Sequence, residues 1–260
     1  MSLTRAVKTL AVGFLAAFLL VAGGLYFLST SIPVQYRPAR LSARERVQAA
    51  KHFYGKVMDF DGQAQGLEPF EVQITQEELG NYLASLDEIA ALLPDGQSGR
   101  VDDLMEGAGL ADPAIALGEG MVSLMVRSGR YDNRIVSAEV AFYFSADKRL
   151  RIRLGRMRIG RLPVPEGLVR RRLEGLRQAL AGGDEASRGR AKNWVDSGGP
   201  VGAVADATVK AITAAIDGEA IIPEGVWRGR RLRIDAVEVC PQNVTLRVRP
   251  LGSKSDQAAR

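Results

Sequence analysis

From Leu10 to Leu28 the chain reads LAVGFLAAFLLVAGGLYFL, and no charged residue lies between Thr9 and Tyr36. A helix rising about 1.5 Å per residue needs about 20 such residues to cross a hydrocarbon core. The run therefore predicts a transmembrane helix, with Tyr26 and Phe27 at the interface and Pro33 ending it. The competing reading is a cleavable signal peptide, whose apolar region is shorter, roughly 7–15 residues, and is followed by a small-x-small site. Here the best such site, Ala22-Gly23-Gly24, falls inside the run and no lipobox cysteine follows, so an uncleaved anchor is expected. Arg5 and Lys8 precede the run, while Arg37, Arg40, Arg44 and Arg46 follow it, so flanking charge gives no direction. The short stub ahead of the run does: a long C-terminal domain translocates largely regardless of charge, which places it outside the cytoplasm.

Beyond the anchor the apolar positions change period. Ser42 and Glu45 form a capping-box pattern that opens a helix carrying Val47, Ala50, Tyr54, Val57 and Met58 on one side, with His52 off that stripe as a solvated residue. Glu71 to Thr75 alternates as a short strand. Thr75 and Glu78 repeat the capping pattern, and Leu79, Tyr82, Leu83, Leu86, Ile89 and Ala90 keep a helical period to about Leu92. Residues 94–113, rich in Gly, Asp and Ser, read as a loop.

Alternation then takes over. Val122, Leu124 and Val126 share one face of a strand over residues 120–130, and Val136, Ala138, Val140, Phe142 and Phe144 share one face of the next. Ala146-Asp147-Lys148 is a tight connection, so the following strand, residues 149–160, returns antiparallel. It sets Leu150, Ile152 and Leu154 against Arg149, Arg151 and Arg153, and after Gly155 the parity flips to Met157 and Ile159. A one-residue slip turns every side chain over, so Gly155 is expected to be a bulge that keeps one face buried. Pro163 and Pro165 end the strand and start a helix lined by Val169, Leu173, Leu176 and Leu180. A Gly-rich segment (181–200) and a helix (about 201–216) precede a closing hairpin. There the parity flips again near Ala236 and the chain turns at Pro241-Gln242-Asn243.

This order predicts an α+β architecture: an N-terminal transmembrane helix, then a curved antiparallel sheet with helices packed on one side. The expected organisation is a cytoplasmic stub and anchor over 1–36, a juxtamembrane helix and linker over 37–69, an extracytoplasmic α+β domain over 70–250 and a disordered tail over 251–260.

Composition adds limits rather than chemistry. The apolar share is 46% and the charged share 25%, as in folded proteins. The net charge is +5, and only seven of the 35 basic residues are lysine. Such a field suits solvated strand faces or an anionic partner surface. With one cysteine (Cys240) and one histidine (His52) there is no internal disulfide and no His/Cys metal cluster. Cys240 ends an apolar strand pattern and reads as a buried, inert thiol. Neither a phosphate-binding loop nor a nucleophile elbow is present, and Gly118-Glu119-Gly120 is an isolated fragment. Asp102-Asp103 and Asp184-Glu185 sit in hydrophilic loops where solvation is the default. Aromatic residues are few and not interleaved with the basic ones, which disfavours nucleic acid. No catalytic residue, cofactor or metal is expected.

Three stretches carry a family resemblance. Phe70-Glu71-Val72-Gln73-Ile74-Thr75 followed by Glu77-Glu78-Leu79-Gly80-Asn81-Tyr82-Leu83 resembles the "strand, Thr-x-x-x-Leu-Asn, helix" opening of the YpmS-like bacterial membrane-anchored proteins, with an extra Gly80 between Leu79 and Asn81. Met157-Arg158-Ile159-Gly160-Arg161-Leu162-Pro163-Val164-Pro165 is similar to that family's "iGxLPvP" stretch, and the hairpin Leu232 to Val248 fits as well. The YpmS-like layout in turn resembles tubular lipid-binding domains, where a long curved sheet wraps a helix and leaves an apolar groove. The resemblance implies binding of lipid or another apolar ligand and transfers no catalytic residue. The expectation is a non-enzymatic protein of the bacterial cytoplasmic membrane, its domain periplasmic, with membrane lipid as partner and Val140, Phe142, Phe144, Leu173 and Leu176 lining the apolar interior. The alternative is a scaffold or accessory subunit of a cell-envelope complex, contacting a protein partner through an Arg-rich sheet face formed by Arg151, Arg153, Arg231 and Arg233.

Overall fold

In the computed structural model the described residues are 20–21, 23–92, 105–107, 109–145, 147–165, 167–169, 171 and 220–251. Residues 20–21 and 23–30 are helical. The regular elements that follow are α1 (Ala43–Ala64), β1 (Phe70–Thr75), α2 (Gln76–Leu83), α3 (Leu86–Ala91), β2 (Leu110–Gly118), β3 (Met121–Ser128), β4 (Arg134–Phe144), β5 (Leu150–Ile159), β6 (Leu162–Pro163), β7 (Ala220–Ile221), β8 (Glu224–Trp227), β9 (Arg230–Val239) and β10 (Asn243–Leu251). The architecture is α+β, and every strand pair is antiparallel. Among the described residues the strands form two sheets where one was expected: β1-β10-β9-β8, and β2-β3-β4-β5-β6 with β7 also on β5.

Both capping boxes are present. The Thr75 hydroxyl accepts from the Glu78 N–H at 3.1 Å, and the Glu78 carboxylate accepts from the Thr75 N–H at 2.8 Å. Ser42 and Glu45 do the same at the start of α1. Each reciprocal pair satisfies two of the N–H groups that a helix start leaves open.

The face α1 buries overlaps the expected one only in part: Ala50 is buried as expected and Val57 is half-buried, but the rest of that stripe is not. Val47, Tyr54 and Met58 are 45%, 42% and 43% exposed, whereas Ala50, Phe53, Phe60, Asp61 and Ala64 turn inward. The helix carries two apolar stripes, and the first sheet takes the one where alanines allow close approach and two phenylalanines bring more area to bury. Phe60 and Ala64 meet Phe70, Trp227, Leu232, Leu246 and Val248, and Ala50 and Phe53 meet Ile74, Tyr82 and Ile89.

The single helix expected to about Leu92 is broken at Ala84–Ser85 into α2 and α3. Ser85 stands at the new N-cap, and Asp87 and Glu88 occupy the first turn, where negative charge suits the helix's positive end. The segment read as a loop to Pro113 already enters β2 at Leu110. Its start is bulged, with Asp112 and Pro113 opposite one residue of β3 and Asp112 at φ 49.

Both expected parity flips are bulges. Ala138 pairs Met157 while Val140 pairs Leu154, so β5 carries an extra residue at Gly155-Arg156. A Cβ at Gly155 would stand 3.1 Å from that of Glu139, so glycine suits the site. In β9, Arg247 of β10 pairs Ala236 while Val248 pairs Ile234. The β4–β5 and β9–β10 strand pairs also return where expected, with the Lys148 N–H bonded to the Ser145 carbonyl and the Cys240 N–H to the Asn243 carbonyl. Cys240 itself is exposed, not buried, because it lies one residue past the end of β9.

Among the described residues no helix is long and apolar enough to cross a membrane, and most of the expected span, residues 10–19, lies outside them. So do Asp102-Asp103, Leu173, Leu176, Leu180, the segment 181–200 with the helix expected over 201–216, and the tail from residue 252.

Candidate functional site

Register places one continuous row of apolar side chains on a single face of the second sheet. Val126, Val136 and Ile159 lie side by side, then Leu124, Ala138 and Met157, then Val122, Val140 and Leu154. Phe142 with Ile152, and Phe144 with Leu150, continue the face away from them. The Gly155 bulge keeps Met157 and Ile159 on the same side as Leu154. Val140, Phe142 and Phe144 thus share a face, as the alternation predicts.

That face is covered unevenly. Phe142 packs into a cluster with Leu117, Val122 and Val239, together with Leu79, Val237 and Val244, so the first sheet and α2 close over this part. Toward the other end Leu124 is 45% exposed, although β3 is an interior strand of its sheet. Fully burying a leucine stabilises by about 1.5–3 kcal/mol, so a half-exposed leucine in an apolar row is an unmade contribution.

The opposite face of the same sheet is a packed core. Ala114, Ala116, Met125 and Ile135 are buried there, with Tyr36 of the linker laid against them. The Tyr36 hydroxyl donates to the Asp112 carbonyl at 2.9 Å, and Arg127 pairs the Asp112 carboxylate at 2.9 Å. Burial raises the Tyr36 pKa above its ordinary value, with the Asp112 charge adding to it against the opposing Arg127.

The end of helical segment 23–30 docks on this sheet. The Arg161 N–H donates to the Leu28 carbonyl at 2.8 Å, and Arg134 Nη1 donates to Ser29 Oγ at 2.6 Å. The Arg134 guanidinium also lies over the Tyr26 ring, 5.4 Å from its centre. Ser29 is 4% exposed, and Gly160, at φ 60, lies so close to the Leu28 and Ser29 carbonyls that a side chain has no room. This contact was not legible in the sequence, because two of its groups are backbone atoms.

The four arginines expected to form one face belong to two sheets. Arg231 pairs Glu224 at 2.7 Å, and Arg233 pairs Asp235 at 2.8 Å, an aspartate that Arg249 also meets at 2.7 Å. Arg151 and Arg153 on β5 are exposed, and among the described residues neither pairs with a carboxylate. Arg149, just before the strand, and Arg158 on it are paired with Asp147 and Glu139.

A groove of about 890 Å³ runs along α1; its described lining includes Arg44, Lys51, His52 and Lys56. Beneath it His52 Nδ1 lies 3.0 Å from the Tyr82 hydroxyl, and Lys56 bridges Glu78 at 2.9 Å. Burial, with the nearby Glu78 charge, pushes the Tyr82 pKa up to about 12. Burial would raise Glu78, but the Thr75 N–H, Lys56 and the Thr75 hydroxyl outweigh it and hold that carboxyl below its usual range. Within this cluster Glu78 closes the capping box of α2 with Thr75, and the His52 and Lys56 contacts tie α1 to α2. Among the described residues no three His, Cys, Asp or Glu side chains stand where they could hold a metal ion. No family model, curated protein or solved structure matches the chain.

Proposed function

We propose that the chain is held to a membrane by its N-terminal apolar segment, and that the partly open apolar face of the second sheet binds or shields lipid or another apolar ligand without catalysis. The carrying observation is the row through Leu124, Ala138 and Met157, where apolar side chains continue past the part of the face that the first sheet covers. The uncharged stretch from Leu10 to Leu28 supports the tether, and exposed Leu20, Val21, Leu25 and Phe27 at its end support it further. The YpmS-like resemblance agrees with this reading, which sets the domain outside the cytoplasm of a bacterial cell.

A phospholipid with a photoreactive diazirine in its acyl chain tests it on the detergent-purified full chain. Adducts should map to peptides of β3, β4 and β5 that carry this face. Adducts confined to the N-terminal segment would sink the ligand reading and leave the tether.

A second reading, an envelope scaffold, has one favouring observation: Arg151 and Arg153 are exposed cations without a carboxylate partner among the described residues. It narrows the expected surface to β5, since Arg231 and Arg233 are engaged within their own sheet. Arg151→Glu with Arg153→Glu should remove a co-purifying partner while leaving lipid adducts unchanged; retention of the partner would exclude this surface.

A further inference from the structure

The docked end of helical segment 23–30 fixes which end of the second sheet faces the tether. We propose that this end, bearing the β3–β4 connection and the Gly160-Arg161 turn, rests on an anionic phospholipid surface with Arg130 and Arg161 directed at its headgroups. The proposal rests on the reading of residues 10–28 as a membrane anchor and adds the domain's orientation on the bilayer.

Three observations carry it. First, the apolar helical residues remain exposed up to Leu28, which is 40% exposed, while Ser29 is 4% exposed and held by Arg134. The boundary between the exposed helix and the part the domain holds therefore falls at Leu28–Ser29, and beyond it Ile32 and Val34 are again exposed, at 63% and 73%. Second, the Arg161 N–H bonds the Leu28 carbonyl, so Arg161 stands within about one helical turn, roughly 5 Å, of that boundary. Ser128 pairs Arg134 and the Gly160 N–H bonds the Ile135 carbonyl, which brings the 129–133 connection to the same end. Third, Arg130 and Arg161 are exposed and, among the described residues, neither is paired with a carboxylate. Asp132 is the one carboxylate within that connection. Arginines beside an anionic leaflet are attracted within a Debye length of it.

The row Val126, Val136 and Ile159 is the part of the apolar face nearest this end. In the proposed orientation the face rises from the headgroup layer, so an acyl chain would reach it from below.

The test uses the full chain with Cys240→Ser, reconstituted in phosphatidylcholine vesicles with or without phosphatidylglycerol, and a fluorophore at Tyr131→Cys or at Lys148→Cys. These sites lie at opposite ends of β4, whose eleven residues span about 35 Å. A headgroup-attached quencher should quench the label at 131 strongly and the label at 148 hardly at all. Phosphatidylglycerol should increase the first effect, and Arg130→Glu with Arg161→Glu should erase that increase. Equal quenching at both sites, stronger quenching at 148, or an increase that survives the charge reversal overturns the proposal while the anchor stands. Failure of the chain to float with either vesicle overturns the anchor reading and this proposal together.

Discussion

The Trp227 indole N–H donates to the Asp61 carboxylate at 2.9 Å, tying the last turn of α1 to the β8–β9 hairpin. Arg228 of the hairpin turn takes the other oxygen at 2.7 Å, and Asp61 is 8% exposed. Arg228 and Gly229 both have positive φ, at 46° and 82°, the geometry of a tight two-residue hairpin turn. One helical carboxylate thus fixes the edge of the first sheet. Asp61→Ala leaves a half-buried indole donor and a half-exposed guanidinium without their acceptor, and should destabilise by about 1–3 kcal/mol. Chemical denaturation of the full chain in detergent reads this. Trp227→Phe should cost less than Asp61→Ala, because it leaves the pair with Arg228 in place.

Gly160 is fixed by the backbone it approaches. An added Cβ would lie 2.7 Å from the Leu28 carbonyl oxygen and closer still to that of Ser29, at a φ that already disfavours a side chain. Gly160→Ala should cost about 1 kcal/mol from the backbone conformation alone, and the clash adds to it. The more specific signal is local. The Arg161 amide, now bonded to Leu28, should lose protection from hydrogen exchange while the amides of β9 and β10 keep theirs. Unchanged protection at Arg161 would show the contact to be dispensable.

Glu78 gives the domain an acid-sensitive element. Its folded pKa is held below the ordinary 4.5, so its contribution to stability is complete above about pH 4.5 and is lost as pH falls through the lowered folded value. Thr75→Ala removes the cap at a cost of about 1 kcal/mol at neutral pH. It should also flatten the acid limb of the stability profile. Urea midpoints measured from pH 7 to pH 3 test both effects. Asp235, drawn down by Arg233 and Arg249 against its burial, acts with the same sign, so the limb should shrink rather than vanish.

What could be read from the sequence was local chemistry with a fixed period. Val136 to Phe144 alternates cleanly, and the two flips became bulges at Gly155-Arg156 and before Ala236 because each face stays apolar only with an added residue. The capping boxes at Ser42 and Thr75 were legible for the same reason: their partners lie three residues away. Strand β2 was not, because Gly109, Asp112 and Pro113 carry turn chemistry and its buried residues, Ala114 and Ala116, are too small to stand out. The division into two sheets depends on β1 pairing with β10, Phe70 against Val248, a contact across nearly the whole domain that no local window contains. The choice between the two stripes of α1 followed from that pairing. For the candidate face, alternation put Val140, Phe142 and Phe144 together but could not tell which of them the first sheet would cover.

That difference gives the sharpest test of whether the face is core or ligand surface. Phe142 sits against Val239 and its neighbours, whereas Leu124, on the same face, is 45% exposed. Phe142→Ala opens a cavity in a half-buried site and should destabilise by about 2 kcal/mol. Leu124→Gln removes little buried area and should change stability by about 0.5 kcal/mol or less. If the open part of the face receives acyl chains, the second substitution should nonetheless reduce diazirine adducts on β3 and β4 severalfold. A Leu124→Gln protein that loses as much stability as Phe142→Ala would mean that Leu124 belongs to the core. A stable one that still captures lipid at the wild-type level would mean that the acyl chain lies elsewhere. Only stability kept and capture lost supports a ligand surface beside Leu124.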